Sequence, residues 1–68
     1  MNETLKDLRR SAKKSVGEVA EALGVTDKAV YNYENGLRCI DIRQVLVLAE
    51  LYDCTEREVI EAQIRVLR

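Results

Sequence analysis

Signals for the start of a helix recur at short intervals along this 68-residue chain. Each is a side-chain oxygen that can accept a hydrogen bond from the free backbone N–H groups of a first helical turn. They are Thr4, Ser15, Thr26, Asp41 and Thr55. Two of them, Ser15 and Thr55, are followed three residues later by Glu18 and Glu58, which is the pattern of a capping box. Intervals this short leave room for short helices joined by tight turns.

Between these signals, apolar residues recur with the spacing of one helix face. The predicted helices cover about residues 5–12, 15–23, 26–35, 41–52 and 56–67. The apolar residues of the fourth helix are Ile42, Val45, Leu46, Leu48, Ala49 and Tyr52, and the stripe of the fifth is Val59, Ile60, Ile64 and Leu67. The chain has no proline, and 47% of its residues are hydrophobic. We therefore predict an all-α protein, a five-helix bundle that forms one domain over residues 1–68.

Several function classes are disfavoured by what the chain lacks. It has no histidine, and Cys39 and Cys54 are too few for a zinc site, so we expect free thiols, no metal and no cofactor. No activated nucleophile pattern and no room for a pocket are evident, so we expect neither an enzyme nor a small-molecule substrate. No apolar run could span a bilayer and no secretory signal opens the chain. A cytoplasmic, nucleoid-associated protein is the expectation.

Charge is distributed unevenly along the chain. The formal net charge is −1, which by itself is unusual for a nucleic-acid binder. Residues 1–14 contain five basic and two acidic residues, whereas residues 44–68 contain three basic and five acidic ones. This asymmetry suits a protein with one face toward phosphate, although ordinary solvated helix surfaces would also produce it.

The segment between the second and third predicted helices, Gly24-Val25-Thr26, has the pattern of a helix-turn-helix. Gly24 suits the sharp turn and Val25 fills the angle between the helices. Ala20 is small where the two helices cross, and Val30 packs back onto the second helix. The unit covers about residues 15–35, and its third helix would lie at roughly 90–120° to the second.

Residues 5–60 resemble the Cro/repressor-type (lambda repressor-like, Xre) helix-turn-helix DNA-binding domain. The matching residues are Leu8-Arg9, Ser15, Val19-Ala20, Leu23-Gly24-Val25-Thr26, Val30, Tyr33-Glu34-Asn35-Gly36, Leu48-Ala49 and Tyr52. The resemblance implies a transcriptional regulator of bacterial or phage type, a repressor that binds a pseudo-palindromic operator in double-stranded DNA. Its third helix would enter the major groove. The alternative is a helix-turn-helix that binds protein, such as an antitoxin or an adaptor.

The resemblance also implies roles for individual residues. The base-reading residues would be Asp27, Lys28, Tyr31 and Asn32, which share the outward side of the third helix. The phosphate contacts would come from Val16, Gly17, Thr26, Asn35, Arg38 and Arg43, with Lys13 and Lys14 as helpers. An ion pair between Arg9 and Glu34 would connect the first helix to the end of the third.

Two positions depart from the family pattern. Val16 occupies a position where the family usually has a glutamine that contacts phosphate, and valine cannot make that contact. Lys13-Lys14 occupies a position where Gly-Leu is usual. The two lysines are expected to replace the lost polar contact.

Proteins of this type usually bind DNA as dimers. Apolar residues beyond the predicted core stripes predict a homodimer interface in the loop after the third helix, on the outer side of the fourth helix and on the fifth. They are Leu37, Cys39, Ile40, Val47 and Leu51, with Val66 at the end of the fifth helix. Some of them could instead fill the core or lie singly on the surface.

Overall fold

Five α-helices form the secondary structure of the computed structural model, which describes residues 3–67. They are α1 (Leu5–Ser11), α2 (Val16–Leu23), α3 (Asp27–Glu34), α4 (Ile42–Leu51) and α5 (Glu56–Val66). No strand occurs in this part of the chain. The predicted all-α, five-helix bundle is confirmed, and the helix bounds agree with the prediction to within one or two residues.

Each helix begins at the residue that the sequence marks as its cap. Reciprocal capping boxes form at Thr4, Ser15, Asp41 and Thr55, whereas Thr26 caps α3 through its own side chain alone. At α2, the Ser15 N–H donates to Glu18 Oε1 over 2.9 Å, and the Glu18 N–H donates to Ser15 Oγ over 3.1 Å. Hydrogen bonding of its carboxylate to the backbone N–H and to the side chain of Ser15 lowers the pKa of Glu18.

Left-handed turns separate the first three helices. Gly24 has φ 70° and ends α2, and the Val25 N–H donates to the Ala20 carbonyl over 3.0 Å. The turn between α1 and α2 uses the same geometry at Lys13, which has φ 58°. This explains why glycine is usual in the family at the position of Lys13, since a side chain is strained there.

The core lies where α2 packs against α3 and α4 against α5. Its largest fully buried side chains are Leu5, Val19, Val30, Leu48 and Val59. α2 also contacts α4, and α1 contacts α5. α3 contacts α1, α2 and α5, so it is supported by three other helices. This arrangement fixes α3 on the bundle while its outer side remains open.

The predicted apolar stripes of α4 and α5 are wrong at several positions. Ile42, Leu46, Ile60, Ile64 and Leu67 are between 42% and 81% exposed. Val59 of the predicted α5 stripe is buried as expected, but the other inward positions of α5 are occupied by Ala62 and Gln63. Each helix has two neighbouring apolar rows, and only one of them can face the bundle.

Lys13→Gly should stabilise the protein by about 0.5–1 kcal/mol, because the strain of a left-handed side chain is removed and the greater freedom of glycine in the unfolded chain offsets only part of this gain. Urea unfolding followed by circular dichroism measures it. Lys14→Gly is the control, because Lys14 has no positive φ. This variant should destabilise the protein. Equal effects of the two variants would contradict strain at Lys13.

Candidate nucleic-acid interface

One side of α3 is polar and open to solvent. Asp27, Lys28 and Tyr31 are exposed and Asn32 is half-buried, with Tyr31 51% exposed. Thr26, which caps the helix, is also exposed. The residues proposed from the sequence to read bases therefore lie together on one accessible helix face.

The opposite side of α3 is buried against the bundle at Ala29, Val30, Tyr33 and Glu34. Tyr33 accepts a hydrogen bond at its hydroxyl from Gln44 Nε2 over 3.1 Å, which fixes its ring against α4. Apolar packing on this side determines which residues of α3 face outward. The helix is thus held by its buried side, and its polar side is open to solvent.

An ion pair holds the last turn of α3 against α1. Arg9 Nε donates to Glu34 Oε2 over 2.7 Å and Arg9 Nη2 donates to Glu34 Oε1 over 3.3 Å. Their side chains are 11% and 6% exposed, and Arg9 Nη1 also donates to the Lys14 carbonyl over 3.2 Å. Hydrogen bonding to Glu34 raises the pKa of Arg9 above its ordinary value. The guanidinium group of Arg9 thus connects α1 to the α1–α2 turn and to α3.

Two basic residues, Arg38 and Arg43, follow the carboxyl-terminal end of α3 in the chain. Arg38 is exposed, and its guanidinium carbon lies 5.7 Å from the centre of the Tyr33 ring. This is the distance of a cation–π contact, which holds the guanidinium beside α3. Arg43 is exposed in the first turn of α4, and Asn35, also exposed, is the C-cap of α3.

The start of α2 presents a second group of phosphate candidates. Lys13 and Gly17 are exposed, and Lys14 is half-buried. Val16 is half-buried and packs against the core, so this position contributes only its backbone N–H. The first N–H groups of a helix have no acceptor within the helix and can bind an anion.

The residues predicted to form the dimer interface do not share one surface. Leu37 and Cys39 are exposed, with Leu37 65% exposed. Ile40 is only 7% exposed and belongs to the core. The prediction that it lies outside the core, in the dimer interface, is therefore wrong. Its burial follows from the short α3–α4 loop, which turns the side chain inward. Val47 and Leu51 are half-buried, and Leu51 borders a shallow groove with Glu18, Glu21 and Ala22 of α2.

A different apolar surface was missed by the sequence prediction. Ile60, Ile64 and Leu67 line a groove of about 110 Å³ together with Cys39 and Val45. Ile42 and Leu46 lie on the flank of α4 turned away from α2, by the period of the helix. We call the exposed set the α4–α5 apolar face, which consists of Ile42, Leu46, Ile60, Ile64 and Leu67. These residues recur at intervals of three or four positions within each helix. That spacing could have indicated an apolar surface, but it was interpreted as part of the core.

Residues 3–67 contain no group of three or more His, Cys, Asp or Glu side chains that could hold a metal ion. Within the same residues, no helix is long and apolar enough to cross a membrane.

Comparison with known proteins gives a family match over most of the chain. Residues 5–59 match the family model described as helix-turn-helix. A protein of Thermococcus gammatolerans named as an HTH-type transcriptional regulatory protein is 41% identical over 66 residues, which cover 97% of this chain and 20% of that protein. A protein of Thermococcus kodakarensis with a similar name is 37% identical over 51 residues, which cover 75% of this chain and 16% of that protein. The chain thus spans a fifth or less of these relatives. No solved structure matches it.

Arg9→Ala should destabilise the protein by about 3 kcal/mol, because it leaves the Glu34 carboxylate buried without its partner. Arg10→Ala is the matched control, since Arg10 is exposed and its loss should change stability by no more than about 0.5 kcal/mol. Thermal and urea unfolding measure both variants. A small effect of Arg9→Ala, similar to that of the control, would show that the ion pair contributes little.

Proposed function

This chain belongs to the helix-turn-helix family, and we propose that it binds double-stranded DNA as a transcriptional regulator, with α3 in the major groove. The observation that carries the proposal is the polar outer side of α3. It is open to solvent, while the opposite side and the last turn are fixed by the core and by Arg9–Glu34. A helix held in this way has the geometry that major-groove recognition requires.

The chemistry of the open side suits direct contacts with base edges. Lys28 can donate to O6 and N7 of guanine, and Asn32 can pair with N6 and N7 of adenine. Asp27 can accept from N4 of cytosine, and its carboxylate also favours the helix start. Tyr31, which is exposed, can contact a thymine methyl group or a phosphate. Asp27 would repel phosphate, so it rejects wrong registers as well as selecting a base.

Phosphate contacts on either side of α3 would fix its register. At one end, the N–H groups of Val16 and Gly17 and the side chains of Lys13 and Lys14 lie at the start of α2. At the other end, Arg38 lies over the Tyr33 ring, with Asn35 and Arg43 nearby in the chain. Such contacts supply most of the affinity and make it depend on salt.

We propose a homodimer on a pseudo-palindromic operator, with half-sites about 34 Å apart. The α4–α5 apolar face is the surface that supports it, because a monomer would leave these side chains in water. Cys39 of the α3–α4 loop lines the same groove as Ile60, Ile64 and Leu67, and Leu37 is exposed in that loop. Repression needs only occupancy of the operator, so a repressor is the simplest regulator of this kind.

A helix-turn-helix that binds protein, such as an antitoxin or adaptor, is favoured by two observations. These are the net charge of −1 and the absence of a polar side chain at Val16. Binding to random duplex at several salt concentrations separates the two functions. A DNA-binding protein loses affinity steeply as salt rises, and no measurable duplex binding at low salt would favour the protein-binding alternative.

Asn32→Ala should weaken binding to the preferred operator by about 1–3 kcal/mol and relax the preference at one base pair, because one bidentate base contact is lost. Arg38→Ala is the matched comparison and should weaken binding to all duplexes alike and flatten the salt dependence, as the loss of a phosphate contact does. Fluorescence anisotropy with selected and random duplexes measures both. A uniform loss for Asn32→Ala would contradict its base-reading role.

Ile64→Glu should shift the protein from dimer to monomer, since Ile64 is 60% exposed in the α4–α5 apolar face and a carboxylate there must lose water in any interface. Sedimentation velocity at several concentrations measures the shift. Leu51→Glu tests the other side of α4 and should leave the dimer intact. Dissociation by Leu51→Glu alone would move the interface to the groove beside α2.

A further inference from the structure

A buried amide connects α5 to both ends of the segment that follows α3. Gln63 is only 2% exposed. Its Nε2 donates to the Tyr33 carbonyl in the last turn of α3 over 3.2 Å. Its Oε1 accepts from the Ile40 N–H, just before α4, over 3.0 Å. One side chain of α5 therefore closes the α3–α4 loop from inside.

The backbone of α5 lies against the same turn. Gly36 has φ 76°, and a Cβ atom at this position would lie 1.7 Å from the carbonyl oxygen of Val66. Only a residue without a side chain allows the last turn of α5 to approach the end of α3 so closely. The carboxyl-terminal ends of α3 and α5 are thus joined by a polar bridge and by direct backbone packing.

The two bonds of Gln63 are not equivalent. The Tyr33 carbonyl also accepts from the Gly36 N–H over 3.3 Å, so it keeps one donor if Gln63 is replaced. The Ile40 N–H donates to Gln63, and without this oxygen a buried donor loses its acceptor. An apolar side chain would fill the space but could form a hydrogen bond with neither the Tyr33 carbonyl nor the Ile40 N–H. A buried polar group of this kind fixes one arrangement of its neighbours.

We propose that Gln63 is a positioning residue for DNA recognition, which rests on the function proposed above. It sets the position of the carboxyl-terminal end of α3 relative to α5, and α3 has only eight residues. A movement at that end displaces Asn32, one residue before Tyr33, and Lys28 one turn earlier. Gln63 also lines the groove of the α4–α5 apolar face, so the same side chain lies between the proposed dimer surface and the base-reading helix.

Gln63→Met tests this in the full 68-residue chain, because methionine is similar in length and cannot form either bond. We expect the ratio of affinities for selected and random duplex to fall about tenfold, which corresponds to the loss of roughly one good base contact. Binding to random duplex should change by less than twofold. In the free protein, the amide chemical shifts of Lys28, Tyr31 and Asn32 should move.

Val59→Ala is the matched control. Val59 is fully buried on the same helix and takes no part in the Gln63 bonds, so this variant should lower the melting temperature and keep both the affinity ratio and the α3 amide shifts. If Gln63→Met does not fold, Gln63→Leu replaces it. Leucine can form neither bond, so the ratio should again fall.

The outcomes separate the two proposals. An unchanged affinity ratio and unmoved α3 amides in Gln63→Met overturn the role of Gln63, as does an equal fall of the ratio in Val59→Ala. A wild-type chain that shows no preference among duplexes overturns the proposed function instead. In that case the role of Gln63 is tested by the chemical shifts of the α3 amides alone. A change in these shifts in Gln63→Met that is absent from Val59→Ala supports positioning of α3 by Gln63.

Discussion

The structure depends on how a helix of eight residues is held in place. A helix as short as α3 is not stable on its own in water. Its first turn is capped by Thr26, its inner side is buried in the core, and its last turn is bound from two directions. Arg9 of α1 pairs with Glu34, and Gln63 of α5 donates to the Tyr33 carbonyl. Removal of Arg9 leaves the Glu34 carboxylate buried without its partner, and removal of Gln63 leaves the Ile40 N–H without an acceptor. The two contacts therefore fix α3 more specifically than apolar packing alone.

Much of the fold was predictable because its information is local. Caps such as Ser15 and Thr55 act through residues three positions away, and Gly24 is required by the geometry of a single turn. The outward side of α3 follows from helical periodicity once Val30 is placed in the core. The Arg9–Glu34 contact was expected only through the resemblance to a family, since 25 residues separate the partners and composition gives no reason to pair them.

The parts that could not be predicted depend on which row of a helix meets which neighbour. Ile60 and Ile64 have the spacing of a core stripe, yet the row that contains Val59 and Ala62 is the buried one. Gln63 belongs to that buried row although its side chain is polar, because the tertiary fold brings it to two backbone groups, the Tyr33 carbonyl of α3 and the Ile40 N–H before α4. The pattern of apolar residues in the sequence therefore predicts where the helices lie better than it predicts which side of each helix is buried.

The acidic balance of the chain has a structural explanation. Asp7, Glu18 and Glu58 accept hydrogen bonds from capped helix starts, which lower the pKa values of their carboxyls. The positive end of each helix dipole offsets part of their charge, and Glu34 is neutralised by Arg9. Charges in solvent are screened beyond about 8 Å at physiological salt. The field at α3 is therefore set by nearby groups such as Arg38, held over the Tyr33 ring, and not by the formal net charge of −1.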